Sequence, residues 1–532
     1  MRSPIRGSRG AARALALLAC IVSASACGGG GPPDAQPPGG THGAGKQLPP
    51  TPATSSTVEA PPPSGPPRAF LVPKPTWVDL AGGMRLATVE SKTLPLVQLR
   101  VVVLGGRSAD GERPGLAALT GELLKDGGSG NMSSRELLSR IESLGGSLSI
   151  DTRADKTTLG LAVTKDAMAE ALSLLATVVT RPRLDAAELG RLKKRETERV
   201  ANAARTSGRW AASMVLWRDL FTLPAERHPY AAYDATGPEL DKLTVADCRS
   251  FHQRFYVPKN MFVVVAGDTT AALAKDAVDK AFTGFHGGDP PPLIFTAPVP
   301  QGQRPITVVH RPNSKQSDIY VALLGPERKS PAWTETAVAN QVLGGGVASR
   351  LFVDVREKQS LAYTTWSSLV EVANGPVPFI AHAGTQTPKT GLALEALLAH
   401  VHAIGQGPPS AEEVETASRY LGDTLAIRIE TIGAVADEVV SLRTLGLPDD
   451  YYDGYRRELR EVTPPLAARA AAENLRDAQA LVVVAGDADR IGPLLSRFGE
   501  VKVVDPVRNF ERVRSIPRNP DAPRELPREA GE

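Results

Sequence analysis

Val263-Val264-Val265-Ala266-Gly267-Asp268 recurs as Val482-Val483-Val484-Ala485-Gly486-Asp487, at an offset of 219 residues. Each copy is an apolar, β-branched run ending in a turn, and each is followed by an Ala-rich amphipathic stretch, at 271–282 and 488–498. This order reads as a strand, a turn and a helix. The same offset carries 118–127 onto 337–346, two helix-like stretches that both end in glycine. Two features aligned at one offset, with matching flanks, predict two homologous halves of about 220 residues each.

Outward from the repeat, the coarse pattern is shared. An extended run (96–104; 318–324) precedes a helix (115–125; 333–342), and further extended runs follow (147–151 and 157–163; 362–369 and 377–385). Two longer helical patterns come next, 165–179 with 185–206 in the first half and 392–404 with 411–431 in the second. Strands that follow one another without strict βαβ alternation predict an α+β fold. Helices would pack on an antiparallel or mixed sheet in each half.

Composition fits that reading. The chain has 532 residues and a net charge of +3, with 42% hydrophobic and 22% charged residues. Near-neutrality argues against a nucleic-acid partner, and the apolar content against wholesale disorder. Three cysteines, Cys20, Cys27 and Cys248, are too few for a disulfide framework or a Cys-based zinc site. Cys248, in Val245-Ala246-Asp247-Cys248, reads as a core residue of a helix.

The first 27 residues carry Arg2, Arg6, Arg9 and Arg13, then an apolar run from Ala14 to about Val22, then Ser25-Ala26-Cys27. That is the build of a secretory signal peptide. A Cys behind small residues and ahead of Gly28-Gly29-Gly30-Gly31 resembles a lipoprotein processing site, although Ala24 stands where Leu is usual. Leu17-Leu18-Ala19-Cys20 fits that local pattern better but would leave a very short apolar core. Cys27 is the expected lipidation site, with Cys20 as the alternative. The protein is then exported and lipid-anchored in the cell envelope, on the periplasmic face. Gly28 stands where an Asp would signal inner-membrane retention, which favours the outer membrane. Residues 28–75 form a Pro/Gly-rich linker that buries no core. Two domains would follow, at 76–288 and 289–507, with a loose Arg/Pro-rich tail at 508–532.

The match then becomes specific. Leu343-Gly344-Gly345-Gly346, Ser349-Arg350-Leu351-Phe352 and Leu361-Ala362-Tyr363 behind Arg356-Glu357-Lys358 resemble the second half of M16 peptidases. This is the insulinase/pitrilysin family, which includes the mitochondrial processing peptidases. His228-Pro229-Tyr230, Phe255-Tyr256-Val257-Pro258 with Asn260, Gly384-Thr385-Gln386 and both Val-Ala-Gly-Asp runs look like the same family. The resemblance implies an M16/LuxS-metallohydrolase-like fold: two similar α+β domains facing each other across a cavity that holds an extended peptide.

Family chemistry uses zinc, bound by two His at i and i+4 on one helix face, with a Glu beside them as base and a downstream Glu as third ligand. Where the family has His-x-x-Glu-His, this chain has Ala118, Leu119, Thr120, Gly121 and Glu122. Methyl and hydrogen neither bind zinc nor move a proton. Glu198 stands at the family's distance for the third ligand, but a single carboxylate does not hold zinc, and it reads better as an exposed helix glutamate. No pair among the eight His has i,i+4 spacing; His400 and His402 point to different faces of a helix. No metal or other cofactor is therefore expected on this chain.

What survives is the second-half site. The resemblance assigns Arg356 and Tyr363 to the positions from which active members grip the substrate carbonyl and donate to the oxyanion. Without it, they read as a helix-surface ion-pair partner and a half-buried strand residue. Gly344, Gly345 and Gly346 resemble a glycine stretch presented to substrate, and also read as a plain helix end. The expectation is a non-catalytic, substrate-gripping subunit that pairs with a zinc-bearing His-x-x-Glu-His chain and holds an extended peptide. The alternative is a scaffold or peptide-binding lipoprotein without peptidase activity.

Overall fold

The computed structural model describes residues 70–299 and 305–526. The leader, Cys20, Cys27 and the linker up to residue 69 lie outside the described residues. Strands β1 (Thr76–Asp79), β2 (Arg85–Glu90), β3 (Leu96–Val103), β4 (Ser149–Thr152), β5 (Thr157–Thr164) and β6 (Met261–Gly267) form one sheet, ordered β1-β2-β6-β3-β5-β4. A second contains β7 (Ile306–His310), β8 (Gln316–Glu327), β9 (Thr364–Leu369), β10 (Pro376–Gln386), β11 (Leu481–Gly486), β12 (Val501–Asp505) and β13 (Glu511–Ile516). Its order is β13-β12-β7-β11-β8-β10-β9, so β2-β6-β3-β5-β4 has its counterpart in β7-β11-β8-β10-β9. The architecture is α+β, with helices packed on two mixed sheets.

The repeated runs are β6 and β11, at the heart of each sheet. Each lies parallel to one neighbour (β2, β7) and antiparallel to the other (β3, β8). Every residue of both is buried, which explains why neither run carries an alternating polar position. Leu99 faces Val265 and Ile319 faces Val484. The paired strands thus correspond at an offset one residue longer than the repeat itself. Glycine closes the first run for a steric reason: Gly267 has φ 138°, and a Cβ there would stand 2.1 Å from the Leu96 carbonyl oxygen.

Between the halves, each lends a helix to the other's sheet. Ala211, Ala212, Val215 and Leu216 of Gly208–Leu220 belong to the core built on the second sheet, with Ile319, Val321 and Val483. In return, Val435, Ala436, Val439 and Val440 of Ile432–Leu445 cover Ala87, Val102, Phe262, Val264 and Ala266 of the first sheet. Arg100 pairs with Asp437 at 2.7 Å along the same seam. Apolar area on the sheet faces left bare by their own helices is what drives this exchange.

The tail differs from expectation. Residues 511–516 form β13, which pairs with the outer edge of β12, and Phe510 is buried against Trp210 at 5.9 Å between ring centroids. The chain continues as a strap: Ala522 is buried and its carbonyl accepts from Arg497, while the Leu526 N–H donates to the Pro388 carbonyl. An edge strand needs few buried side chains, so its arginines point outward and imitate a loose composition. Cys248 lies fully buried in Val245–Phe255, as its setting predicts.

Candidate functional site

The first-half helix of interest is Leu116–Asp126, which sends Leu116, Leu119, Leu123 and Leu124 into the core. Buried Asp110 caps it, accepting from the Gly115 and Ala117 N–H groups at 2.8 and 2.7 Å. Burial pushes this carboxyl up to about 7, against the pull of the two N–H groups and of Arg107 and Arg227.

On this helix Ala118 is half-buried and Gly121 is buried against β4 and β5. A Cβ at Gly121 would stand 2.9 Å from Thr152 Oγ1, so a longer side chain there requires the Thr152 hydroxyl to shift. Glu122 accepts from Arg195 at 2.9 Å, across to the helix Ala186–Thr206. Asp126 takes Arg191 at 3.0 Å and Arg195 at 3.3 Å; Arg199 holds Glu196 at 2.6 Å and Asp234 at 2.8 Å. Glu198 is exposed at a shallow depression with Lys193, Lys194, Thr197 and Asp241. Arg195, not Glu198, meets Glu122.

A zinc site needs three or four donors converging at about 2.0–2.3 Å. Here the one carboxylate among the three motif positions, Glu122, is held by a guanidinium, and the other two positions carry a methyl group and a hydrogen. The residues present do not fit zinc. Among the described residues, one further group brings ligand atoms within 4.8 Å of one another: His310, Asp487 and Asp489. It is already satisfied. The Ala488 N–H donates to His310 Nδ1 at 3.1 Å, which leaves the ring proton on Nε2, and Arg514 holds Asp489.

The second-half site is built on a π-helical turn, Leu351–Lys358, and on the start of edge strand β9. Leu351 and Val355 anchor the turn in the core. Arg356 places its guanidinium 4.6 Å from the Phe352 ring centroid and 5.5 Å from that of Tyr363. Among the described residues no carboxylate pairs with it. Tyr363 is 79% exposed, its backbone N–H held by the Gly384 carbonyl at 2.8 Å. The structure therefore brings Arg356 and Tyr363 together as a half-buried cation set against aromatic rings, with the Tyr363 side chain exposed beside it.

Three contacts hold this turn. Arg350 grips Glu413 with two bonds, at 2.6 and 2.9 Å, and the Glu413 carboxyl is drawn down to about 2, first by Arg350. Asp354 accepts from His400 Nε2 at 2.7 Å and from Gln359 Nε2 at 2.8 Å; the His400 bond is the main cause of its lowered pKa. Lys389 reaches the Ser360 carbonyl at 3.0 Å. Ser360 has φ 50°, a left-handed conformation rare for a residue with a Cβ, and it re-aims the chain between Arg356 and Tyr363.

Gly344 is buried at the end of the helix Trp333–Gly344, where a Cβ would stand 2.4 Å from the Ser367 backbone nitrogen. It serves the packing of that helix on β9. Gly345 and Gly346 are half-buried, beside Gln341. His228 and Tyr230 are buried in an aromatic cluster with Phe221 and Phe295, and Asn260 ties the Leu104 and Phe255 carbonyls together. Sequence reasoning gave no role to Phe352, although it lies four residues before Arg356 and so on the same face of a helix. Asp354, Gln359 and His400 were also missed.

Comparison with known proteins agrees with this architecture. The model of the insulinase (peptidase family M16) domain matches residues 85–221, and that of the peptidase M16 inactive domain matches residues 242–421. An uncharacterized zinc protease of Streptomyces coelicolor is 23% identical over 68% of this chain and 78% of its own length. The zinc protease PqqE of Helicobacter pylori is 22% identical over 77% of this chain and 93% of its own. An uncharacterized zinc protease of Mycobacterium leprae reaches 30% identity, but over 25% of this chain and 30% of that protein. Among solved structures, a peptidase M16 inactive domain from Pseudomonas fluorescens superposes with a TM-score of 0.72 at 24% identity, covering 77% of this chain and 97% of that one. A protease from Helicobacter pylori gives 0.70 at 19% identity, covering 78% and 100%. With two M16 models in succession along the sequence and the same fold in both structures, the chain belongs to the M16 peptidase family.

Proposed function

We propose that this chain is the non-catalytic, substrate-gripping subunit of a two-chain M16 zinc peptidase at the bacterial cell envelope. Its partner is a chain bearing His-x-x-Glu-His, which supplies the zinc and the base. The observation that carries the reading is the contrast between the two sites. The first-half helix offers no donor set at the motif positions, and Glu122, the one carboxylate among them, is spent on Arg195. Arg356, by comparison, lies half-buried against Phe352 and Tyr363 with no carboxylate partner among the described residues, and can bond a peptide carbonyl or carboxylate while the phenol donates beside it. Family members elsewhere divide these roles between halves, and a division between chains needs no new chemistry. The leader ending at Cys27 supports attachment to a membrane by lipid.

The test is co-purification from native membranes followed by peptide cleavage. A partner with His-x-x-Glu-His is expected in equal amount, and Arg356→Ala should abolish cleavage while the complex still assembles. Unchanged cleavage by that variant overturns the assigned role. Recovery without such a partner favours a scaffold or peptide-binding lipoprotein.

A further inference from the structure

The helix Thr390–Ala403 lies behind the turn that displays Arg356 and Tyr363, and it touches that turn at both ends. Near its start, Lys389 Nζ donates to the Ser360 carbonyl at 3.0 Å. Near its other end, His400 Nε2 meets Asp354 Oδ2 at 2.7 Å. A carboxylate oxygen only accepts here, so Nε2 carries the proton and donates. The same Asp354 Oδ2 accepts from Gln359 Nε2 at 2.8 Å, and the Gln359 N–H donates to the Asp354 carbonyl at 2.9 Å. Gln359 directly precedes Ser360, whose left-handed φ turns the chain toward Tyr363.

We infer that His400 and Asp354 are positioning residues for the Arg356–Tyr363 pair. His400, fixed on its helix, orients the Asp354 carboxylate; Asp354 pins Gln359; and that pin sets the angle at which the chain leaves the π-helical turn. Several features support a device beyond ordinary packing. The turn is π-helical, one residue wider per bond than an α-helix, a rare geometry that is found frequently at functional sites. Its kink sits on a serine with positive φ, a cost that the surrounding contacts must offset. The two hooks of Thr390–Ala403 engage before and at that kink, on either side of the Gln359 pin. Tyr363 itself is 79% exposed, so little packing fixes its ring and the backbone leading to it must do so. This inference rests on the reading of Arg356 and Tyr363 as a grip, yet its own readout is conformational.

The experiment uses the full chain with its tyrosines replaced by 3-fluorotyrosine and observed by 19F NMR, the Tyr363 signal being identified by its loss in Tyr363→Phe. His400→Leu removes the donor, whereas His400→Gln keeps an N–H that can reach Asp354. The Tyr363 signal is expected to move by more than its linewidth in His400→Leu and in Gln359→Ala, and to return toward the original position in His400→Gln. In the two-chain enzyme the His400→Leu variant should raise KM roughly tenfold with a smaller change in kcat, the loss typical of one charge-assisted hydrogen bond. A Tyr363 signal unmoved in both His400→Leu and Gln359→Ala overturns the inference, as does an equal displacement in His400→Leu and His400→Gln. If the signal moves and returns but Arg356→Ala still cleaves peptide, the positioning contact stands and the grip reading is what fails.

Discussion

Glu413→Gln tests whether the grip turn is clamped from the side. Arg350 and Glu413 are bonded at 2.6 and 2.9 Å, with 26% and 31% of their side chains exposed. The pair joins the root of the π-helical turn to the helix Ala411–Arg428. The Glu413 carboxyl falls from 4.5 to about 2, and Arg350 is the first cause. A shift of that size corresponds to about 3 kcal/mol. Part of it belongs to Ser410, whose backbone and hydroxyl also bond Glu413, and partial exposure screens the rest. About 1–2 kcal/mol remains for the ion pair itself. Gln is the informative replacement because it still suits the third position of the capping box with Ser410 and removes only the charge. A double-mutant cycle with Arg350→Met in urea should return that coupling energy, and hydrogen exchange across 346–363 should accelerate in each single variant. The sign of the pH dependence follows from the depressed folded pKa. The contribution is fully present above about 4.5 and disappears as pH falls toward 2. A coupling below about half a kcal/mol, or unchanged exchange across the turn, would refute the clamp.

Three further outcomes are expected. The triple variant Ala118→His/Gly121→Glu/Glu122→His should bind no stoichiometric zinc by metal analysis, because a Cβ at 121 stands 2.9 Å from Thr152 Oγ1 and Arg195 opposes a dication; one tightly held zinc per chain would contradict this. Val439→Asp puts an unpaired carboxylate against the other half's sheet, at a cost of several kcal/mol. Hydrogen exchange should then rise in β6 and β3 of the first half, not in the second half alone. Asp110, raised from 3.8 to about 7, binds its proton more tightly folded than unfolded, so it makes stability decline as pH rises from about 4 to about 7. Denaturation midpoints of Asp110→Asn should lose that decline, and an identical profile in both proteins would exclude it.

The repeated Val-Val-Val-Ala-Gly-Asp run was legible because a strand buried on both faces leaves a continuous apolar signature, and its two copies locate the centres of both sheets. Arg356 and Tyr363 were legible through resemblance; Phe352 was missed, although its helical spacing from Arg356 offered a signal. Helix starts that the sequence reading passed over carry a local signal: Ser133 with Glu136 and Thr244 with Asp247 are capping boxes that begin Ser134–Ser143 and Val245–Phe255. The exchange of helices was not legible. Gly208–Leu220 is apolar toward more than one neighbour, and periodicity reports that a face is covered but never by which sheet. Nor could His400 be linked to Asp354, since 46 residues separate them and only the packing of Thr390–Ala403 brings them together. The tail misled for a reason of composition: the arginines of β13 face solvent and carboxylates, while the strand is held by backbone bonds that no side chain announces.

The reciprocal loan of helices bears on how such a chain could have arisen. A single repeat, made alone, would leave the apolar face of its sheet bare and hold out a helix with nothing to cover. Two copies of such a repeat would satisfy each other by exchanging those helices, which is the geometry of a domain-swapped dimer. Joining two such copies in one chain changes no contact; it converts an encounter between molecules into one within a molecule. Within one chain the halves can diverge in sequence elsewhere, provided that each still covers the other's sheet.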